Sequence, residues 1–191
     1  MSLLKPILDA AAQVVRGGVV AFPTETFYGL AVDALDLRAL SRLFAFKARA
    51  GEKASALLVQ DVLMFAELSR DFPAKARELA NAHWPGPLTI AVPARPDLPE
   101  ALVVDGFIAA RVSPHPVAHA LVTLVGRPIT ATSANPSGLP PVCTAQEVAA
   151  YFKGKSFHLL DGGTSPGGAP STLVRVRGDS VEILRQGAVF L

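Results

Sequence analysis

The chain has 191 residues, half of them hydrophobic and 18% charged, with a formal net charge of +2 and one cysteine. That length holds one sizeable core, so a single domain is the default. Its apolar runs, such as residues 19–22 and 57–59, are far shorter than the roughly 20 residues of a membrane span; Cys143 alone builds neither an internal disulfide nor a cysteine metal site; and so small a charge does not by itself indicate nucleic acid.

Pro6 and Asp9 interrupt the stretch where a secretion signal would stay apolar, which makes a cytoplasmic location the expectation. Leu3, Leu4, Ile7, Leu8, Ala11, Val14 and Val15 recur at helical spacing and Gly17-Gly18 follow as a stop, predicting a helix over 3–16. Residues 19–22 read as a strand ended by Pro23, which leaves Thr24, Glu25 and Thr26 on the loop at its C-terminal end; extended structure resumes over 28–33. Asp36 reads as the N-cap of a helix with Leu37, Leu40, Leu43 and Phe44 on one face, running into Lys47-Ala-Arg49.

Residues 55–59 predict a buried strand, 61–68 and 74–83 two helices, and 88–92 the next strand after the stop Trp84-Pro-Gly-Pro87. Residues 107–112 form a strand with Arg111 near its end. Pro114 then opens a helix that buries Val117, Leu121, Leu124 and Val125. Residues 128–132 return as a strand, the loop Ser133-Ala-Asn-Pro-Ser-Gly138 follows, a helix covers about 144–152, and strands fall near 156–160, 171–176 and 181–184. The alternation predicts an α/β fold, and the last strands, joined without helices, predict an open twisted mixed sheet in a single domain over 1–191. Residues 93–99 and 162–170 read as loose surface loops.

Several chemistries are excluded or weakened. Gly163-Thr-Ser165-Pro-Gly167 matches a nucleophile elbow, but proline and glycines replace the helix that must follow and no histidine comes later in the chain. His115 and His119 have zinc-helix spacing without a glutamate or an evident third ligand, so capping or solvated histidines are the safer reading. Neither a phosphate loop nor a dinucleotide glycine pattern occurs.

What remains is polar residues at the ends of apolar strands, where α/β sheets place ligand sites: Thr24, Glu25 and Thr26; Arg111; and Thr132, Ser133 and Asn135. Lys47, Arg49 and Lys53 add charge suited to a polyphosphate. Lys-x-Arg equally suits a helix C-terminus, and Ser-Ala-Asn-Pro-Ser-Gly equally suits a turn.

Six ordered segments go further. Phe22-Pro-Thr-Glu-Thr-Phe-Tyr-Gly-Leu30, Lys47-Ala-Arg49, Ala110-Arg-Val112, Thr132-Ser-Ala-Asn-Pro-Ser-Gly138, Ser171-Thr-Leu-Val174 and Leu184-Arg-Gln-Gly187 resemble the YrdC/Sua5 family over nearly the whole chain, and the length resembles its short form. The resemblance implies an L-threonylcarbamoyladenylate synthase. Such an enzyme joins L-threonine, bicarbonate and ATP, releases pyrophosphate, and supplies a threonylcarbamoyl transferase that modifies tRNA.

The resemblance also implies a YrdC-like fold with a concave basic surface. Arg49, Lys53, Ser133, Pro141 and Arg185 would contact ATP; Lys47 and Arg49 would be catalytic; Thr26, Arg111, Ala131 and Ser171 would hold L-threonine or its carbamate; and Mg2+ would accompany ATP. Ala131 and Pro141, with Phe107, would act through backbone groups. Arg111 is expected to face ligand and not core. Glu25 is left between orienting magnesium or water and capping its own loop.

Ala50, Ala54, Ser55 and Leu58 depart from the family pattern, Leu58 standing where some relatives place a histidine. Two other readings stay open: a (double-stranded) RNA-binding or regulatory module without turnover, and a carbamoyl-transfer relative of the hydrogenase maturation proteins.

Overall fold

The computed structural model describes residues 3–47 and 55–191. Helix α1 (Leu4–Val15) buries Ile7, Ala10, Ala11 and Val14, and the chain leaves it through Gly17 at φ 75°, a left-handed position that glycine occupies without the cost a Cβ brings. β1 (Val20–Phe22) and β2 (Gly29–Ala31) form an antiparallel pair with Val20 opposite Ala31. α2 (Leu37–Phe46) starts where Asp36 accepts from the amides of Arg38 and Ala39 at 2.8 and 3.2 Å. The expected cap is thus in place, but Leu37 is 67% exposed, and Ala39, Leu40, Leu43 and Phe46 make the buried face.

β3 (Leu57–Leu58), α3 (Val62–Ala66, capped by Asp61), α4 (Ala74–His83), β4 (Leu88–Pro93) and β5 (Phe107–Arg111) follow in the order read from the sequence, with β3 and α3 shorter than the expected 55–59 and 61–68. α5 (Pro116–Val125) begins two residues beyond the expected start. Pro116 takes the first helical position and the Nδ1 of His115 accepts from Val117 N at 3.3 Å, so His115 is a cap. Leu124 lies 43% exposed; Ala118 and Val122 complete the buried stripe instead. β6 (Ile129–Thr130), β7 (Thr132–Ser133), α6 (Ala145–Tyr151, with a full capping box between Thr144 and Glu147), β8 (His158–Leu159), β9 (Thr172–Arg177) and β10 (Ser180–Arg185) complete the order.

The strands divide between two mixed sheets: β7-β2-β1-β8, and β10-β9-β4-β5-β3-β6. The expected 128–132 strand is therefore two strands in different sheets. The chain changes sheet at Ala131, whose amide donates to Ala56 O at 2.8 Å. The small sheet is covered on both faces, which is why β1 shows no polar alternation. Val19 and Ala21 join a core with Tyr28, Leu30, Leu43 and Ile90, while Val20 and Phe22 join a second core with α1 and α5.

Burial of His115 holds its imidazole below the ordinary 6.5 and outweighs the opposing pull of Glu25. A depressed pKa means that the unfolded chain takes up the proton first. The stabilisation is therefore present above pH 6.5 and fades as pH falls below it, where a protonated Nδ1 also stops capping α5. His115→Asn keeps a capping acceptor without titrating. Melting curves taken from about pH 7.5 down to about pH 5.5 should show a smaller loss of Tm for the variant than for the parent chain.

Candidate functional site

A cleft of about 450 Å³ opens beside Ala131, where the chain passes between the sheets; this is within the range of small-ligand sites. Thr26, Arg111, Ala131, Ser133, Pro141, Ser171 and Arg185 all line it. Arg49 and Lys53, and with them Ala50 and Ala54, lie outside the described residues.

On one wall, Pro23 ends β1 and the following turn is built by Thr24. Its Oγ1 accepts from Thr26 N at 3.2 Å and donates to Phe27 O at 2.7 Å. With that hydrogen committed, the 3.2 Å contact between the two threonine hydroxyls has Thr26 as donor, which leaves the Thr26 oxygen able to accept.

Arg111, at the end of β5, is 7% exposed, and its Nε donates to Glu25 Oε1 at 2.9 Å. The other carboxylate oxygen accepts from Ser113 Oγ. Glu25 thus spans Arg111 and Ser113, one on each oxygen. The expectation that Arg111 would point away from the protein interior is corrected: it lines the cleft, but its Nε edge also completes a buried ion pair.

Across the cleft, Ser171 Oγ lies 2.8 Å from Thr89 Oγ1 on β4. From β10, Arg185 donates through Nη2 to Ser171 O and Oγ at 2.9 and 3.1 Å, and through Nε to the same carbonyl at 3.2 Å. Burial, and secondarily the charge of Arg111, lower the Arg185 pKa. Two guanidiniums thus share one cleft closely enough to repel, an arrangement that a bound anion relieves. Thr89, missed in the sequence reading, carries one signal: a lone hydroxyl inside an otherwise apolar strand, 1% exposed.

Lys47 is 4% exposed and does not line the cleft. Its Nζ donates to Thr132 Oγ1 at 3.0 Å and to Ser133 O, which ties the end of α2 to β7 behind the cleft wall. Asn135 does not line the cleft either; its Nδ2 staples its own loop by donating to Pro136 O at 3.1 Å and to Leu139 O. Ser55 and Phe107 line the cleft, whereas Leu58 is wholly buried in the core beneath α1 and α5. His119 Nε2 sits 3.2 Å from Gln60 O, and among the described residues no cluster of three metal-binding side chains forms.

The 162–170 loop is not loose. Ser165 N donates to Cys143 O at 2.8 Å, Gly167 N to Thr26 O at 2.7 Å, and the Tyr28 hydroxyl to Gly163 O at 2.7 Å. Burial pushes the Tyr28 pKa up to about 12, so this donor keeps its proton. Tyr28→Phe should cost about 1 kcal/mol, lowering Tm by about 2–4 °C, and thermal melts at neutral pH will show it.

A second hollow of about 720 Å³ is lined by Arg70, Arg95 and Arg177 but also by Asp71, Glu100 and Asp105. Its mixed charges build no field for a polyanion, which leaves the first cleft as the candidate site.

The family described as Telomere recombination (Sua5/YciO/YrdC) matches residues 12–187. The chain is 36% identical over 185 residues to a threonylcarbamoyl-AMP synthase of Bacillus subtilis (strain 168), covering 96% of this chain and 54% of that protein. It is 35% identical to the protein of the same name from Pseudomonas syringae pv. syringae, covering 95% and 97%. Among solved structures, Pyrococcus abyssi Sua5 complexed with L-threonine superposes with a TM-score of 0.91 at 36% identity, over 98% of this chain and 55% of that one. Escherichia coli YciO, at 24% identity and TM-score 0.84, and a full-length HypF, at 20% and 0.81, share the fold. The chain thus spans about half the length of some curated relatives and nearly all of others.

Proposed function

We propose that this chain, which belongs to the Sua5/YciO/YrdC family, is a threonylcarbamoyl-AMP synthase acting on L-threonine, bicarbonate and ATP. The observation that carries the reading is the convergence of Thr26, Ser171 and the like-charged pair Arg111 and Arg185 on one cleft, in a chain similar to a Sua5 that was solved with L-threonine.

In this reading the threonine nitrogen joins the bicarbonate carbon with loss of water. A carboxylate oxygen of the resulting carbamate then bonds to the α-phosphorus of ATP as the bond to pyrophosphate breaks. No general base is required at that second step, because the attacking carboxylate is already ionised. The difficulty is bringing two anions together, and fixed cations lower that barrier.

Arg111 offers the terminal nitrogens of its fork to the threonine-derived carboxylate, while Thr26 and Ser171 hold its polar groups. Arg185, Ser133 and the backbone at Pro141 face the nucleotide, and Ala131 contributes its backbone beside threonine. Arg49 and Lys53 complete the phosphate side by motif.

The two oxygens of Glu25 accept from Arg111 and Ser113. Mg2+ would come with ATP on the phosphate oxygens. The product would pass to a tRNA-modifying transferase in the cytoplasm; no described helix is long and apolar enough to cross a membrane.

The test is pyrophosphate release from ATP by the purified chain. It should require L-threonine and bicarbonate together and yield a threonylcarbamoyl adenylate detectable by mass spectrometry. Release that ignores threonine, or salt-sensitive RNA retention with no release at all, would overturn the reading.

A further inference from the structure

We propose that Glu25 is the positioning residue of the cleft: it sets the rotation of the Arg111 guanidinium and couples that setting to the start of α5. The inference rests on the proposed function only for the identity of what Arg111 holds.

Arg111 has three donor edges, and Glu25 occupies the Nε edge at 2.9 Å. A guanidinium is planar, so fixing Nε fixes the plane in which both terminal nitrogens lie. Glu25 is itself held from the far side, because Ser113 Oγ donates to its second oxygen. Ser113 Oγ in turn accepts from His115 N at 3.2 Å, and His115 caps α5. The chain of contacts runs from the helix start through Ser113 and Glu25 to Arg111.

Each link is enclosed. Ser113 is 2% exposed, and the side chains of Arg111 and Glu25 are 8% and 12% exposed. A long arginine side chain has many rotamers, and the buried carboxylate selects one of them before ligand arrives. Glu25 also neutralises part of the charge that Arg111 places in the cleft. Position and charge therefore make different predictions.

Glu25→Gln keeps an acceptor for Arg111 Nε but removes the charge; Glu25→Ala removes both. If Glu25 positions Arg111, Glu25→Ala should raise the KM for threonine about tenfold or more, with the KM for ATP within about twofold, and Glu25→Gln should recover most of the loss. The Arg111 Nε–H resonance in 1H–15N spectra, assigned by its disappearance in Arg111→Lys, should be protected from exchange in the parent chain and in Glu25→Gln, but not in Glu25→Ala.

Should Glu25→Ala fold poorly, Ser113→Ala, which frees only the second oxygen, should show the same threonine-selective defect in smaller degree. Equal behaviour of the glutamine and alanine variants would replace positioning by a charge effect. Equal rises in both KM values would reduce Glu25 to general support. If the parent chain shows no threonine dependence, the proposed function fails, whereas the resonance still reports whether Glu25 holds Arg111.

Discussion

Arg111→Ala should lower threonine-dependent pyrophosphate release by about 10²-fold or more, the scale of losing one preorganised donor to developing charge. The same substitution should also lower stability. It strands Glu25, whose side chain is 12% exposed, and removing one partner of a buried pair costs about 3 kcal/mol, with Ser113 still donating to the carboxylate. At about 2–4 °C per kcal/mol, that is a fall in Tm of several degrees.

The two effects separate in the double variant Glu25→Ala with Arg111→Ala, which removes the stranded charge. Its Tm should recover toward that of the parent while its activity stays lost. Recovery of activity in the double variant would show that Arg111 serves only the ion pair. A single variant as stable as the parent would show that Glu25 does not depend on it.

That coupling was not legible in the sequence, although both residues were. Arg111 and Glu25 are 86 positions apart, and nothing local pairs the loop after β1 with the end of β5. What the sequence does carry is what local physics decides. The side chains of Asp36, Asp61 and Thr144 can reach the first amides of their helices, and in the structure they do. The alternation of strands and helices gave the fold class for the same reason.

Faces were harder to read. Leu37 and Leu124 fit an apolar stripe by spacing, yet lie in solvent because Ala39 on α2, and Ala118 and Val122 on α5, turn a different arc toward the sheets. The break at Ala131 was hidden because residues 128–132 look equally extended in either sheet; only long-range pairing divides them. Thr26, Ser133, Ser171 and Arg185 were read from ordered motifs and do meet at one cleft. Thr89, which supports Ser171, carries only the weak mark of a lone hydroxyl in an apolar strand, and Ser113, which supports Glu25, carries none.

Lys47 joins the two kinds of information, since its motif marked it while its geometry alters how it would act. Its ammonium grips Thr132 Oγ1 at 3.0 Å and the Ser133 carbonyl, so its effect on nucleotide would run through β7, whose Thr132 and Ser133 line the cleft. Charge-assisted hydrogen bonds contribute about 1.5–3 kcal/mol each, so a lost grip that misplaces Ser133 predicts a fall in kcat/KM for ATP of about 10–100-fold. Lys47→Met and Lys47→Ala should share this loss, with the alanine variant also melting lower because it leaves a cavity.

Thr132→Val is the informative partner, for it removes one acceptor of the grip while leaving the lysine's charge in place, at a residue that itself lines the cleft. If Lys47 acts by holding β7, Thr132→Val should show a weaker form of the same ATP-selective defect, and adding it to Lys47→Met should cost little more. If Lys47 instead reaches the phosphates during turnover, Thr132→Val should leave the KM for ATP unchanged, and Lys47→Met should depress kcat alone. Steady-state kinetics on the three variants, with threonine saturating, decides between a lysine that builds the wall of the site and one that enters it.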